Sequence, residues 1–385
     1  MSSSHNNPIR VMHLISRMNV GGPAVLITNF LREADSVSFD HRLYTGYCAS
    51  DESDYLLTAA TDIDAVRIEG FGRRVSLIGD FKALISLIRE IRRFKPHIVH
   101  THTAKAGVLG RLASIVSFHQ SVRIHTYHGH LLHGYFRPAI RALVIIVERF
   151  LGTYTHQLLA VGERVKQDLL AVGIGDAAKF RVISPGLAIG LLPPKVSSQE
   201  HFGLSPERLQ CGFIGRVTQI KRPDRFLDVV SEISKRKLKL DFFIAGEGEL
   251  LEMCRKRILN EKLPVKILGW QSDNEMVLSA ADLVLLTSDN EGTPLSLIQA
   301  GMAGLPVVTT SVGSVPEVVL NGLTGMLTGF EVTEIADAIE RLSTNSDLRT
   351  ELGGKAREFA TTNYGTGCMV ENHEELYRKL RKLIT

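Results

Sequence analysis

No apolar run in the 385 residues approaches the roughly 18 that a membrane-crossing helix needs. The longest candidate, 142–147, has six residues and is closed by Glu148 and Arg149. Residues 1–8 lack a basic region followed by an apolar stretch, so no secretion signal is expected there. The four cysteines, Cys48, Cys211, Cys254 and Cys368, form no CxxC pair, which points to reduced thiols in a cytosolic protein. Aromatics make up only 6% of the chain, which disfavours an all-β fold. Walker phosphate loops and HExxH helices are missing. The turn at 245–250 reads AGEGEL and is not GxGxxG.

What is present is an ordinary globular balance, 44% apolar and 22% charged, with 33 glycines. At about 100–200 residues per domain, the length implies two domains. Net charge is only +4, yet residues 1–200 carry +7 and the remainder −3. Residues 81–150 hold 11 basic and 2 acidic side chains. Such a stretch is either a solvated face or a surface that meets anions. It has few interleaved aromatics for base stacking, so no nucleic-acid partner is expected.

Apolar strands alternate with amphipathic helices throughout. A strand at 9–15 runs into the Gly-rich turn 18–23 (MNVGGP) and a helix at 24–32, the opening of a doubly wound unit. Strands are predicted at 41–47, 97–100, 122–127, 157–161 and 180–183, and helices at 80–94, 105–118 and 138–153. The Pro/Gly/Ser-rich stretch 185–198 reads as a linker. The alternation then restarts, with strands at 211–215, 240–245, 265–268, 282–287 and 306–310. Helices are predicted at 223–234, 250–261, 294–303, 332–344, 347–361 and 371–383. The expectation is α/β: two Rossmann-like domains with doubly wound parallel sheets facing a central cleft. Their boundaries are 1–198, 199–365 and a C-terminal helix, 366–385, packing back toward the first domain.

Two segments carry anion chemistry. In 288–304 (SDNEGTPLSLIQAGMAG), a strand delivers a polar loop to a helix start, with Thr293 as N-cap and Pro294 at the first helical position. Free amides there and the helix dipole favour an anion, and Gly292 allows close approach. In 213–223, Arg216 and Lys221 share one loop, which suits a diphosphate or a plain basic turn. Eight of the 14 histidines fall in 97–133. The spacing of His125, His128, His130 and His133 raises a zinc reading, but a loop that meets a polyol or phosphate fits better. Asp62 and Asp64 mimic a metal-binding DxD and are assigned to the surface.

Together these motifs resemble glycosyltransferase family 4, the retaining GT-B enzymes of bacterial polysaccharide assembly, over roughly residues 9–383. The matching stretches are 18–23, 100–107 (HTHTAKAG), 126–130 (TYHGH), 185–186, the Gly215–Arg216 step with Lys221, and 291–296 (EGTPLS). The resemblance implies donor-diphosphate contacts from Arg216 and Lys221, and from the backbone of Gly292, Thr293, Pro294, Leu295 and Ser296. Gly215 and Gly246 join that donor set. Leu268, Gly269 and Trp270 would hold the base, and Gly21 and Gly22 would approach phosphate and acceptor. Glu291 would contact the transferred sugar, and His128 the donor sugar near the reacting bond. The acceptor side would include Thr103, Lys105, His130, Tyr135 and Arg137. Gln299 stands where the family usually has a ribose-binding Glu, which weakens a charge-assisted contact.

The resemblance implies transfer from a nucleoside-diphosphate sugar, UDP by family habit, to a lipid-linked saccharide or polysaccharide precursor. Arg216, Lys221 and a helix start would neutralise the leaving group, so no divalent metal or other cofactor is expected. The rival readings are a catalytically decayed nucleotide-sugar binder and a GT-B UDP-GlcNAc epimerase. The apolar stripe of helix 138–153, flanked by Arg137, Arg141 and Arg149, either packs in the core or lies on an anionic membrane. A cytoplasmic protein, peripheral at the inner face of the cytoplasmic membrane, is the expected setting.

Overall fold

The computed structural model describes residues 7–129 and 138–384, which divide into two compact units. The first contains residues up to Gly186 together with the chain from Thr366 onward; the second is Leu187–Gly365.

The first unit holds a seven-stranded parallel sheet of β1 (Ile9–Ile15), β2 (Phe39–Thr45), β3 (Ala65–Arg67), β4 (Ile98–His102), β5 (Val122–Tyr127), β6 (Gln157–Ala160) and β7 (Phe180–Val182). Their order is β3-β2-β1-β4-β5-β6-β7. Leu-, Ile- and Val-rich stretches of four to seven residues suit strands covered on both faces, as a parallel sheet requires. One face is apolar in the ordinary way, with Met12, Leu14, Tyr44 and Val99 packed under helices Leu77–Phe94 and Ala104–Val116. The other face carries Ile15 and Leu43, but also His13, His100 and His102. Helix Thr366–Arg381 lies over that face: Tyr377 Oη and His100 Nδ1 are 2.7 Å apart. Glu374 accepts from the Asp35 amide at 2.8 Å.

The second unit holds β8 (Leu209–Ile214), β9 (Leu240–Ala245), β10 (Val265–Gly269), β11 (Leu283–Leu286), β12 (Val307–Thr310) and β13 (Gly325–Thr328), all parallel. Their order is β10-β9-β8-β11-β12-β13. Its core joins Phe213, Phe226, Phe242, Leu285 and Ile339. Helix Pro223–Lys235 starts at a proline, where the missing N–H costs nothing.

The boundary falls twelve residues earlier than the composition predicted. Residues 187–198 belong to the second unit, and Lys195–His201 is a helix rather than linker. Tertiary bonds fix it: Ser279 Oγ donates to Pro193 O at 2.6 Å and Gln199 Nε2 to Ala280 O at 3.2 Å.

Candidate functional site

In the second sheet the strand order reverses between β8 and β11, and the loops leaving those strands' carboxyl ends meet there. Lys221 Nζ donates to Glu291 Oε1 at 2.5 Å, and Ser288 Oγ donates to the same oxygen at 2.5 Å. Glu291 is only 8% exposed. Its backbone is pinned as well. The Ser314 amide donates to Glu291 O at 3.1 Å, and Gly313 (φ 51°) passes so close that a Cβ would stand 1.9 Å from that carbonyl.

A second set of charges holds the two loops together. Arg222 donates to Asp289 at 3.1 Å and to Asp224 at 2.7 Å. Arg225 donates to Asp289 at 2.8 Å and to Thr287 O at 2.7 Å. The Asp224 carboxylate, followed by Asp289, raises the Arg222 guanidinium pKa above its ordinary value. These residues position the loop, and nothing in their spacing along the sequence revealed it. An Asp in a polar loop is unremarkable until strand order brings it beside Arg222. Ser288 was missed for the same reason.

Beside the switch point, three strands end on glycine. The Gly215 amide donates to Ala245 O at 3.0 Å and the Gly246 amide to Gly269 O at 2.7 Å. Gly215, Gly246 and Gly269 have φ of 145°, 149° and 71°. At Gly246 a Cβ would lie 1.9 Å from Gly215 O. The result is a shelf of bare backbone that a ligand can approach closely. Trp270, 47% exposed, stands next to it, and Gln271 Nε2 donates to Leu268 O at 2.7 Å.

Past the loop, helix Leu295–Met302 begins one residue later than predicted. Pro294 is its N-cap, with ψ 99°, in place of Thr293, and no side chain caps the helix. The Leu297 amide donates to Pro294 O at 3.1 Å, so the Leu295 and Ser296 amides of the first turn are left for a ligand. Gly292 precedes them. Arg216 is exposed, and its guanidinium has no partner among the described residues. Gln299 is half-buried on the same helix, its side-chain amide likewise free among the described residues. A hollow of about 400 Å³ in this unit is lined by Lys195, Arg208 and Asp282 at the amino ends of β8 and β11. The site is placed at the carboxyl ends, where parallel sheets bind ligands.

In the first unit the sheet reverses between β1 and β4. Ser16 Oγ lies 3.1 Å from Thr103 Oγ1 across that point. Gly21 is the N-cap of helix Gly22–Glu33, which therefore starts with free amides. Lys105 is a correction. Its ammonium donates to Gly70 O at 3.0 Å and Arg74 O at 2.6 Å and is ion-paired with Asp80 at 2.6 Å. These contacts make it a brace for the 70–80 segment instead of a group facing an acceptor. His130, Tyr135 and Arg137 lie outside the described residues.

His128, after β5, belongs to a chain of imidazoles. Its Nε2 is 3.0 Å from His102 Nδ1, His102 Nε2 is 3.4 Å from His13 Nδ1, and His13 Nε2 is 3.0 Å from His41 Nδ1. Burial lowers the His128 pKa to about 4, so the ring is neutral. The zinc spacing read from sequence does not hold. His125 faces away from this chain, 2.9 Å from Thr101 Oγ1 and against Gly107. Asp62 pairs at the surface with Arg32.

Two family models cover the chain in succession: Glycosyltransferase Family 4 matches residues 20–189, and Glycosyl transferases group 1 matches residues 197–359. Among curated relatives, the chain is 29% identical over 279 residues to the UDP-Gal:alpha-D-GlcNAc-diphosphoundecaprenol alpha-1,3-galactosyltransferase of Escherichia coli, covering 70% of this chain and 71% of that one. It is 22% identical over 322 residues to the capsular polysaccharide biosynthesis glycosyltransferase CapM of Staphylococcus aureus, covering 80% and 84%. Among solved structures, Anabaena HepE in complex with UDP and glucose superposes with a TM-score of 0.81 at 18% identity, covering 96% and 99%.

Proposed function

Since this chain belongs to glycosyltransferase family 4 and is a GT-B glycosyltransferase, we propose that it moves a sugar, with retention and without a metal, from a UDP-sugar to a lipid-linked saccharide or polysaccharide precursor. The observation that carries this reading is the cation and amide set at the β8/β11 switch point. Arg216, Lys221 and the amides of Leu295 and Ser296 supply positive potential where a diphosphate would leave. The UDP complex of HepE and the diphosphoundecaprenol-linked acceptor named for the E. coli relative support the donor and acceptor classes.

In this mechanism the glycine shelf admits the nucleotide and Trp270 borders the base. Gln299 accepts from a ribose hydroxyl. Glu291, held by Lys221 and Ser288, offsets positive charge developing at the anomeric carbon. The leaving phosphate takes the acceptor hydroxyl proton as that oxygen attacks from the same face, which gives retention.

A peripheral membrane position accords with the surface of the first unit. Among the described residues, no helix is long and apolar enough to cross a membrane. The stripe on helix Pro138–Thr153 splits: Leu151 and Glu148 are buried, while Leu143, Ile146 and Phe150 are each more than half exposed beside Arg149. Helix Leu77–Phe94 exposes Leu77, Ile78 and Phe81 as well, and both helices pack against Ala104–Val116. Apolar side chains beside basic ones suit an anionic leaflet.

The test is calorimetric titration of UDP, GDP and ADP in EDTA, followed by transfer assays with a diphosphoundecaprenol-linked sugar and NMR of the product anomer. UDP binding without metal and an anomer of unchanged configuration are expected. No binding by any nucleotide would favour the decayed-site reading, with Gln299 the first residue to restore to Glu. An inverted anomer would refute same-face attack.

A further inference from the structure

Beneath helix Thr366–Arg381, the face of the first sheet is lined by imidazoles where a core of this kind is usually aliphatic. His13 on β1 and His100 on β4 are register partners, and the period of two puts His102 on the same face. All three are buried. We propose that His13, His100 and His102 bind one divalent transition-metal ion. Sugar transfer, as proposed above, draws on other side chains, Arg216 and Lys221 for the diphosphate.

The geometry supports this in four ways. One ring nitrogen from each residue lies within 4.8 Å of those from the other two. The link between His13 Nδ1 and His102 Nε2, at 3.4 Å, is beyond a good N–H···N hydrogen bond. It matches a tetrahedral edge instead, since metal–nitrogen bonds of about 2.0–2.1 Å put neighbouring ligand atoms about 3.4 Å apart. Next, each ligand has a partner for its outer nitrogen, the arrangement that fixes ring orientation around a metal. His13 Nε2 faces His41 at 3.0 Å and His102 Nδ1 faces His128 at 3.0 Å. His100 is hydrogen-bonded through both nitrogens, Nδ1 to Tyr377 Oη and Nε2 to Thr126 Oγ1, each at 2.7 Å, so ligation displaces one hydroxyl and leaves the other to orient the ring. Finally, a cavity of about 30 Å³ is lined by the three histidines, His128, His373 and Tyr377 among apolar side chains that include Leu26, Phe30 and Met369. It has room for a water as a fourth ligand.

The donor set names the ion class. Imidazole without carboxylate or thiolate suits Zn²⁺, Co²⁺, Ni²⁺ or Cu²⁺ and not Mg²⁺ or Ca²⁺. Burial keeps the three rings unprotonated, the form that ligates. Binding also fixes a tautomer. With His102 bound through Nε2, its Nδ1–H donates to His128 Nε2, and the His128 proton sits on Nδ1. That Nδ1 is buried with no partner among the described residues.

The experiment uses the full chain stripped with EDTA and desalted, then given one equivalent of Zn²⁺ or Co²⁺. Elemental analysis after gel filtration should find close to one ion per chain. Zinc-edge X-ray absorption on the wild type should show three imidazoles at roughly 2.0–2.1 Å. His102→Gln should abolish retention, His41→Asn should weaken it about 10–100-fold, and the His119→Ala/His201→Ala pair should leave it unchanged. A wild type that retains no ion, an oxygen-dominated shell, or a folded His102→Gln protein with undiminished metal would each overturn the proposal. The wild-type spectrum decides the matter even where a variant does not fold.

Discussion

Lys221 Nζ and Glu291 Oε1 are ion-paired at 2.5 Å across the reversal point of the second sheet, 70 positions apart in the chain. The pair is three-quarters or more shielded from solvent on both sides. The carboxylate proposed to face the sugar is thus oriented by a cation proposed to face the diphosphate. Lys221→Ala should lower kcat by about 10²–10³-fold, the usual loss for one preorganised charge-stabilising donor. Glu291→Gln keeps the shape and should lower kcat more than it weakens UDP binding. Steady-state kinetics with calorimetry on both variants check this, and a variant with full kcat would remove that residue from the mechanism.

Arg216 offers the complementary case. It is exposed, with no partner among the described residues, so Arg216→Ala should leave the melting temperature within about a degree or two, as surface changes usually do. UDP affinity should fall by roughly 10–100-fold, the value of a hydrogen bond to a charged group. Unchanged affinity would exclude Arg216 from the diphosphate site.

The glycine shelf is not uniformly tolerant. Gly246→Ala drives a Cβ into Gly215 O at 1.9 Å, whereas Gly269→Ala meets open space. Both pay for positive φ, so Gly269→Ala should cost about 1 kcal/mol. Gly246→Ala should cost clearly more and should weaken nucleotide binding by moving the β8 end. Urea denaturation orders the two, and equal stabilities would contradict the close approach.

In a buried ion pair, Arg111 Nη2 donates to both carboxylate oxygens of Glu148, at 2.7 and 2.8 Å, and Tyr127 Oη donates to the same carboxylate at 2.7 Å. The pair ties helix Ala104–Val116 to helix Pro138–Thr153. Removing one partner strands a buried charge, so Glu148→Leu or Arg111→Met should each destabilise by about 3–5 kcal/mol. The double variant should recover much of that loss, as a double-mutant cycle by chemical denaturation would show.

Acid should loosen the first sheet through two histidines outside the proposed metal site. His97 Nδ1 accepts from the Arg10 amide and His156 Nδ1 from the Arg123 amide, both at 3.0 Å. Burial, then nearby arginines, lowers both pKa values to about 4. The unfolded chain binds these protons from about pH 6.5 downward and the folded chain only near pH 4, so their contribution is complete above about pH 6.5. It is lost as the pH falls toward 4. A His97→Gln/His156→Gln variant should show a flatter stability profile between pH 6.5 and 4.5, and an unaltered profile would assign acid sensitivity elsewhere.

Local pattern determined the two parallel sheets, because the strand period and the helix period are each written within ten to fifteen residues. It also exposed the anion-seeking loops around Arg216 and 291–296, whose residue types announce their chemistry. Elements too short for a period escaped it: helix Asn274–Ala280, strand Gly325–Thr328 and helix Lys195–His201. Only the tertiary structure decided which charges pair. Lys221 meets Glu291, Arg225 meets Asp289 and Lys105 turns to the 70–80 segment because strand order brings distant loops together. The histidine layer is the clearest case. His13, His41, His100, His102 and His373 come from three strands and the last helix, so no spacing along the chain foreshadows it. Instead, the spacing His125–His128 suggested a cluster that strand alternation pulls apart. Side-chain alternation is a local rule, but which strands become neighbours depends on the packing free energy of the whole sheet.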